Sequence, residues 1–417
     1  MSFERIGIRP AQILLPGAGV RPETWACIAC DQYTSEPEYW EKAFAVAGSA
    51  PSAIRLILPE YDLKNAGTLI PRIHGAMADY LAKGLLSPAV DPGFILCERT
   101  VASGTRLGLV CAVDLEQYSF EKGSLPLVRP TEQTITDRLP PRLKIRRGAP
   151  VELTHIMILI DDPGRTVLEP LRAKKASLRG LYDFDLMMNG GHLAGWAVDA
   201  PELLAEVDRS MNALLDTKGE YPLLLAVGDG NHSLATAKAY WNEIREGLTA
   251  EERETHPARF ALCEIVNIHD EALLFEPIHR ILTGTTRAQV MDDWRQYAAD
   301  RGMSLQGAAG HRFTVVSADG EDAVTVSDPE GAIPCETIQK FLDDFLARHP
   351  GTGIDFIHGE GSLRALASKP ETVGFLLPEI DKGAFFSDVV TLGVLPRKTF
   401  SMGEADEKRF YMEAKRI

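Results

Sequence analysis

The stretch PLLLAVGDGNHSLATAKAYW, residues 222–241, decides how the rest of the chain is read. A continuous apolar run ending at Val227 has the character of a buried strand. It runs straight into Gly228-Asp229-Gly230-Asn231-His232, and helical periodicity begins at once, with Leu234, Ala237, Trp241 and Ile244 on one face. A helix starting there offers free backbone N–H groups and the positive end of its dipole. Glycines let a ligand approach the backbone closely, so a phosphate or carboxylate is the natural occupant. Asp229 could coordinate Mg²⁺, take a proton or simply orient the loop. His232 could contact phosphate or act as acid or base. The plainer reading is that Asn231 or Ser233 only caps the helix. The turn is not a P-loop, because no G-K-[ST] follows. It is not the dinucleotide G-x-G-x-x-G either, because Ser233 holds the third glycine position.

Outward from this turn, strands alternate with helices. In the first third, TSEPEYWEKAFAVAG predicts a helix capped by Thr34 or Ser35, with Pro37 in its first turn. A short strand is expected over 54–58, and a helix over 71–85. FILCERTV and RLGLVCAVDL look like paired strands joined by Ala102-Ser103-Gly104. HIMILID (155–161) and RFALCEIVNIH (259–269) read as further strands. FTVVSADGEDAVTVSD reads as a hairpin around Asp319-Gly320. In CETIQKFLDDFLARHPG, Ile338, Phe341, Leu342, Phe345 and Leu346 mark an amphipathic helix. The expected fold is α/β (or α+β), mixed sheets with flanking helices in two to three subdomains. The divisions are 1–150, 151–300 with the glycine turn, and 301–417.

Bulk properties narrow the function. Lys plus Arg total 44 against 59 Asp plus Glu, a formal net charge of −15, which disfavours nucleic acid and anionic membranes as partners. Any anion site must therefore be a local cluster of basic groups. There is no basic n-region followed by an apolar h-region, and no run of about 18 apolar residues, so neither a secretory signal nor a membrane span is expected. Six scattered cysteines then point to reduced thiols in a cytoplasmic protein. Cys27 and Cys30 form one C-x-x-C, read as small buried residues because no second pair accompanies it.

Three further clusters suit an anion. Arg129-Pro130-Thr131-Glu132-Gln133-Thr134 is followed by Asp137-Arg138 and by Arg142, Lys144 and Arg146, which alternate with Leu143 and Ile145 as on one face of a strand. Arg grips phosphate or carboxylate bidentately, although a charge run is more often a solvated face. His279 and Arg280 lie inside the apolar FEPIHRIL, where a satisfied histidine is the commoner outcome. Arg397, Lys398 and Thr399 follow an apolar strand near the end.

Four of these stretches, in order, carry a resemblance: ACDQYTSEPEYW, RPTEQT with the following DR, AVGDGNHSLATA and LPRKTF, with FEPIHR beside them. Over nearly the whole chain they resemble the family known as domain of unknown function 1015. Many relatives carry Asp-Gly-His-His-Arg where this chain has Asp229-Gly230-Asn231-His232-Ser233. That turn is similar to the phosphate-gripping turn of the ParB, sulfiredoxin and free-serine-kinase superfamily. The resemblance implies a nucleotide or phosphoryl-transfer site, and a small amino-acid or phosphoester substrate. Ser233 stands where the arginine would be, so Arg142, Arg146 or Lys398 would have to supply its charge.

The resulting expectation is an enzyme of phosphoryl transfer or phosphoester chemistry that binds a small anionic metabolite or nucleotide, with Mg²⁺ as a candidate cofactor. Asp229, His232 and Glu132 would be catalytic. Gly228, Gly230, Asn231, Thr131 and Thr134 would line the site, and Arg129, Arg138 and Lys398 would stabilise developing charge. The competing readings are a non-catalytic, ParB-like nucleotide sensor and a metal-dependent hydrolase, which would need a His and carboxylate cluster that no motif supplies.

Overall fold

A computed structural model describes residues 3–396 and 398–417. The chain forms two compact units. One comprises the residues up to Leu274 together with Glu404–Ile417, and the other is Phe275–Gly403.

The first unit is built on a mixed twelve-stranded sheet. Its central strands, Leu86–Val101, Gly104–Asp114 and Phe260–Asn267, are joined by antiparallel ladders. They are covered on both sides, and for that reason they read as near-continuous apolar runs. Alternation sorts their residues: Ile95, Cys97 and Leu262 face one apolar cluster, while Phe94, Leu96, Cys263 and Ile265 face the other. Helix Ala66–Ala82 buries Ile73, Met77 and Tyr80 against the first cluster, and helix Pro201–Asp216 buries Val207 and Met211 against the second. Helix Asn231–Arg245 buries Leu234, Ala237 and Trp241 in the second cluster. Full burial of such side chains stabilises by roughly 1.5–3 kcal/mol each.

The second unit has its own six-stranded sheet. Phe275–Thr283 lies between Thr372–Leu376 and Gly353–His358, and Phe400–Met402 pairs with its first residues. The hairpin at Asp319-Gly320 forms as expected, with Ser317 opposite Gly320. Helix Pro334–Arg348 stacks Phe341 on Trp294 with ring centroids 5.0 Å apart. No helix among the described residues is long and apolar enough to cross a membrane.

Four local expectations need correction. The basic stretch is a helix, Leu139–Arg146, not a strand. Pro140 and Pro141 fall in its first turn, where the N–H groups have no partner to lose, so they start the helix instead of blocking it. Residues 53–55 form a single 3₁₀ turn where a strand was expected. The helix at Pro37 is preceded by Glu36, and neither Thr34 nor Ser35 is its cap. Helix Ala66–Ala82 starts five residues before Pro71, because that proline sits exposed within it and forfeits only one backbone bond.

Candidate functional site

Strand Leu225–Asp229 pairs in parallel with Val128–Pro130 and antiparallel with Met157–Ile160. The parallel pairing sets Arg129-Pro130-Thr131 beside the glycine turn, and the Thr131 hydroxyl donates to the Val227 carbonyl at 2.6 Å. Gly230 is the residue that makes the turn possible. Its φ is +80°, and a Cβ there would lie 3.1 Å from Ile156 backbone and side chain. It is also the N-cap of helix Asn231–Arg245, and no side chain caps that helix. The plain capping role for Asn231 and Ser233 is therefore overturned: the Ser233 hydroxyl is 2.7 Å from His155 Nε2, and Asn231 Oδ1 is buried with no partner among the described residues. The helix N-terminus is open to a ligand, at a half-buried turn.

Charged groups converge here from distant parts of the chain. Asp229 Oδ1 accepts from the Gly230 N–H at 2.8 Å, and Oδ2 faces Lys408 Nζ at 3.4 Å. Burial and then the neighbouring Asp229 charge raise the Asp31 carboxyl above its usual range. Burial lowers the ring of His155, with Asp31 and Asp229 acting against that shift. Burial, then Arg142 and Arg138, lower His232 to about 4. His232 is therefore neutral at pH 7. Its Nε2 accepts from the Ile135 N–H at 3.3 Å, which assigns the ring proton to Nδ1 as a donor.

The His232 shift fixes a sign. The unfolded ring gains its proton near pH 6.5, whereas the folded ring stays neutral down to about 4. The contribution of His232 to stability is thus whole above pH 6.5 and declines as pH falls towards 4. In an NMR titration the His232 ring signals are expected to move with a midpoint near 4. A midpoint near 6.5 would contradict the half-buried, cation-flanked placement.

The basic residues divide into those near the turn and those committed elsewhere. Arg142 pairs with Glu60 at 2.6 Å, Arg146 with Glu152 at 2.6 Å and Arg147 with Glu243. Arg142 and Arg146 share a cavity wall with Ser233, and Arg142 is also the cation acting most on His232. Arg138 is exposed. Arg129 is buried, and its guanidinium donates to the carbonyls of Pro126, Tyr221 and Pro222, so it braces the loops behind the turn. Thr134 is buried and Glu132 half-buried on the same segment.

The remaining expected residues belong to the second unit. His279 Nδ1 accepts from the Leu377 N–H at 3.2 Å, the satisfied histidine that its apolar setting implied. Arg280 is fully buried and donates to the Ile278 carbonyl and to Cys335 Sγ. Thr399 donates to the Pro396 carbonyl at 2.6 Å. Lys398 is exposed at a φ of +60°. Arg397 lies outside the described residues.

Asp31, His155 and Lys408 are the site residues that motif reading missed. Asp31 lay within ACDQYTSEPEYW, which carried the resemblance, so a signal existed for it. His155 lies just before strand Met157–Ile160 and Lys408 sits in a charged tail, and neither context points to chemistry. Five of the six cysteines are buried thiols and Cys30 is half-buried; burial still pushes Cys30 up to about 12, too high for a nucleophile.

Residues 14–345 match the model of a family described as "Protein of unknown function (DUF1015)". No curated protein matches the chain. Among solved structures, a mutant free serine kinase in complex with AMP is similar at 11% identity and a TM-score of 0.39, over 73% of this chain and 90% of its own. A conserved hypothetical protein from Pyrococcus furiosus is similar at 11% identity and 0.35, over 74% and 94%. SbnI with a C-terminal truncation, from Staphylococcus aureus, is similar at 10% identity and 0.36, over 70% and 82%.

Proposed function

The chain belongs to the DUF1015 family of proteins of unknown function, and from the geometry of the glycine turn we propose that it binds a small phosphorylated metabolite or nucleotide there and acts on its phosphoryl group. One observation carries this reading. Asp31, His155, residues 229–233 and Lys408, far apart in sequence, converge on a helix N-terminus that no side chain caps. Backbone N–H groups and the helix dipole favour an anion at that point. Candidate acid and base groups sit beside it: burial and the Asp229 charge raise Asp31, while Asp229 faces Lys408 and accepts from the Gly230 N–H. Neutral His232 donates from Nδ1, and Arg142 supplies the charge that Ser233 does not.

Mg²⁺ bound with substrate phosphates asks only one or two carboxylates of a protein, and Asp229 with Asp31 would provide them. There it would neutralise charge on the phosphate oxygens. No group of three His, Cys, Asp or Glu able to hold a metal on its own occurs among the described residues, so the ion would have to come with the substrate.

The test is a thermal-shift and turnover screen with ATP, ADP, CTP, GTP, phosphoserine, serine and pyrophosphate, with and without Mg²⁺. A ligand at 100-fold excess over its Kd stabilises by about 2.7 kcal/mol. Binding with phosphate release or transfer supports the enzyme reading, and binding without turnover supports the sensor reading. No shift with any of the phosphorylated compounds sinks both.

A further inference from the structure

We infer that the first unit holds a largely apolar ligand pocket, sharing a wall with the turn, for the apolar body of a small molecule with one polar end. The cavity has a volume of about 150 Å³. Leu56, Leu58, Met77 and Leu262, all buried, form much of its wall. The pocket opens to solvent, and most of its wall is hydrocarbon, so a guest gains by burying apolar surface against it. The pocket therefore favours a guest with an apolar body over a polyol.

Its polar groups narrow the guest further. Arg142 is engaged by Glu60 and Arg146 by Glu152, while the Thr236 hydroxyl donates to the His232 carbonyl at 2.7 Å. Two polar atoms on residues of its lining stay unpaired. One ring nitrogen of His155 meets Ser233, while the other, Nδ1, and the Nε of Arg146 are buried without a hydrogen-bond partner among the described residues. A buried polar atom left unpaired is costly, so a guest that satisfies it is favoured. Such anchors on a largely apolar wall recognise a hydroxyl or carbonyl at one end of a body of about six to ten heavy atoms. Serine, sugars and polyols lack such a body. The pocket shares Arg142, His155 and Ser233 with the turn, but its apolar wall holds a guest whether or not phosphate binds there.

The full chain is titrated with benzyl alcohol, toluene, glycerol and serine, followed by melting temperature and protein-detected NMR. Benzyl alcohol is expected to bind in the millimolar range or tighter and toluene more weakly, with no response to glycerol or serine. Leu58→Trp, which fills the cavity, is expected to weaken benzyl alcohol at least tenfold while leaving any response to pyrophosphate or ADP unchanged. Met77→Phe, a milder filling change, reads the same effect if the tryptophan variant does not fold. His155→Phe should erase the preference for benzyl alcohol over toluene. The proposal is overturned if no apolar probe binds, if both filling variants bind as the native chain does, or if serine or glycerol binds better. Loss of pyrophosphate binding alone would count against the reading of the turn and not against this pocket.

Discussion

Asp229→Asn is expected to lower phosphoryl turnover by about 10²–10⁴-fold, the range for removing a positioned acid or base, while the protein still melts cooperatively. The substitution keeps the shape of the side chain and an oxygen that can accept from the Gly230 N–H, so the turn persists. It removes the charge that faces Lys408 and that raises Asp31. Two readouts therefore separate chemistry from scaffolding. The Asp31 carboxyl should titrate lower in the variant, because a like charge beside it has gone. Nucleotide affinity measured without Mg²⁺ should be kept or rise, because a negative charge has left the neighbourhood of the phosphates. Unchanged turnover would remove Asp229 from the reaction. Collapse of the fold would instead mark it as a brace for the turn.

A larger effect on stability is expected at Arg409. It is buried, and its guanidinium donates to Glu264 at 2.6 Å, to Glu413 at 2.7 Å and to the carbonyls of Thr154 and Phe410. Glu413 also accepts from the Tyr182 hydroxyl. Gly108 makes room for this network, since a Cβ there would lie 2.2 Å from Glu264 Oε1. Burial alone would raise Glu264, but Arg409 and Arg106 more than offset it and hold the carboxyl below its usual range. Arg409→Met leaves two buried acids without their main partner and should lose about 3–5 kcal/mol, read from urea denaturation at pH 7. The sign with pH follows. The stability that Glu264 contributes in the native chain is present above the unfolded carboxylate pKa and is lost as pH falls below it. In the variant the unpaired acids are relieved by protonation. The difference between the two proteins should therefore shrink towards pH 4. Replacing Glu264 and Glu413 by Gln in the same variant should recover much of the loss. A constant gap across pH would show that packing and not charge dominates.

Elements with strong periodicity were legible in the sequence. The apolar run before Gly228, the face Leu234–Ala237–Trp241 and the Asp319-Gly320 hairpin announce themselves through local pattern. The basic segment misled because alternation over five residues suits a strand, whereas paired prolines in a first turn favour a helix. Arg129 and Arg280 were expected to meet an anion, but their guanidiniums are engaged inside the protein. Their carbonyl partners come from loop and strand backbone, which residue type does not reveal. Half of the acidic centre was out of reach for the same reason: nothing local joins Asp31, His155 and Lys408 to a turn some 75 to 200 residues away.

The tail that brings Lys408 and Arg409 also seals the first unit. Phe410 and Tyr411 pair with Ile28 and Cys27, Ala414 pairs with Leu14 and Leu153, and the Trp25 indole donates to the Met412 carbonyl. On the ribosome, residues up to 274 must therefore wait with an empty slot while the whole second unit is made. A polypeptide cut short anywhere in between presents Glu264 without its arginine and Asp229 without its lysine. Every product that stops short of this segment thus lacks both partners: the stretch after the second unit is a latch that completes the Glu264 and Asp229 pairs of the first.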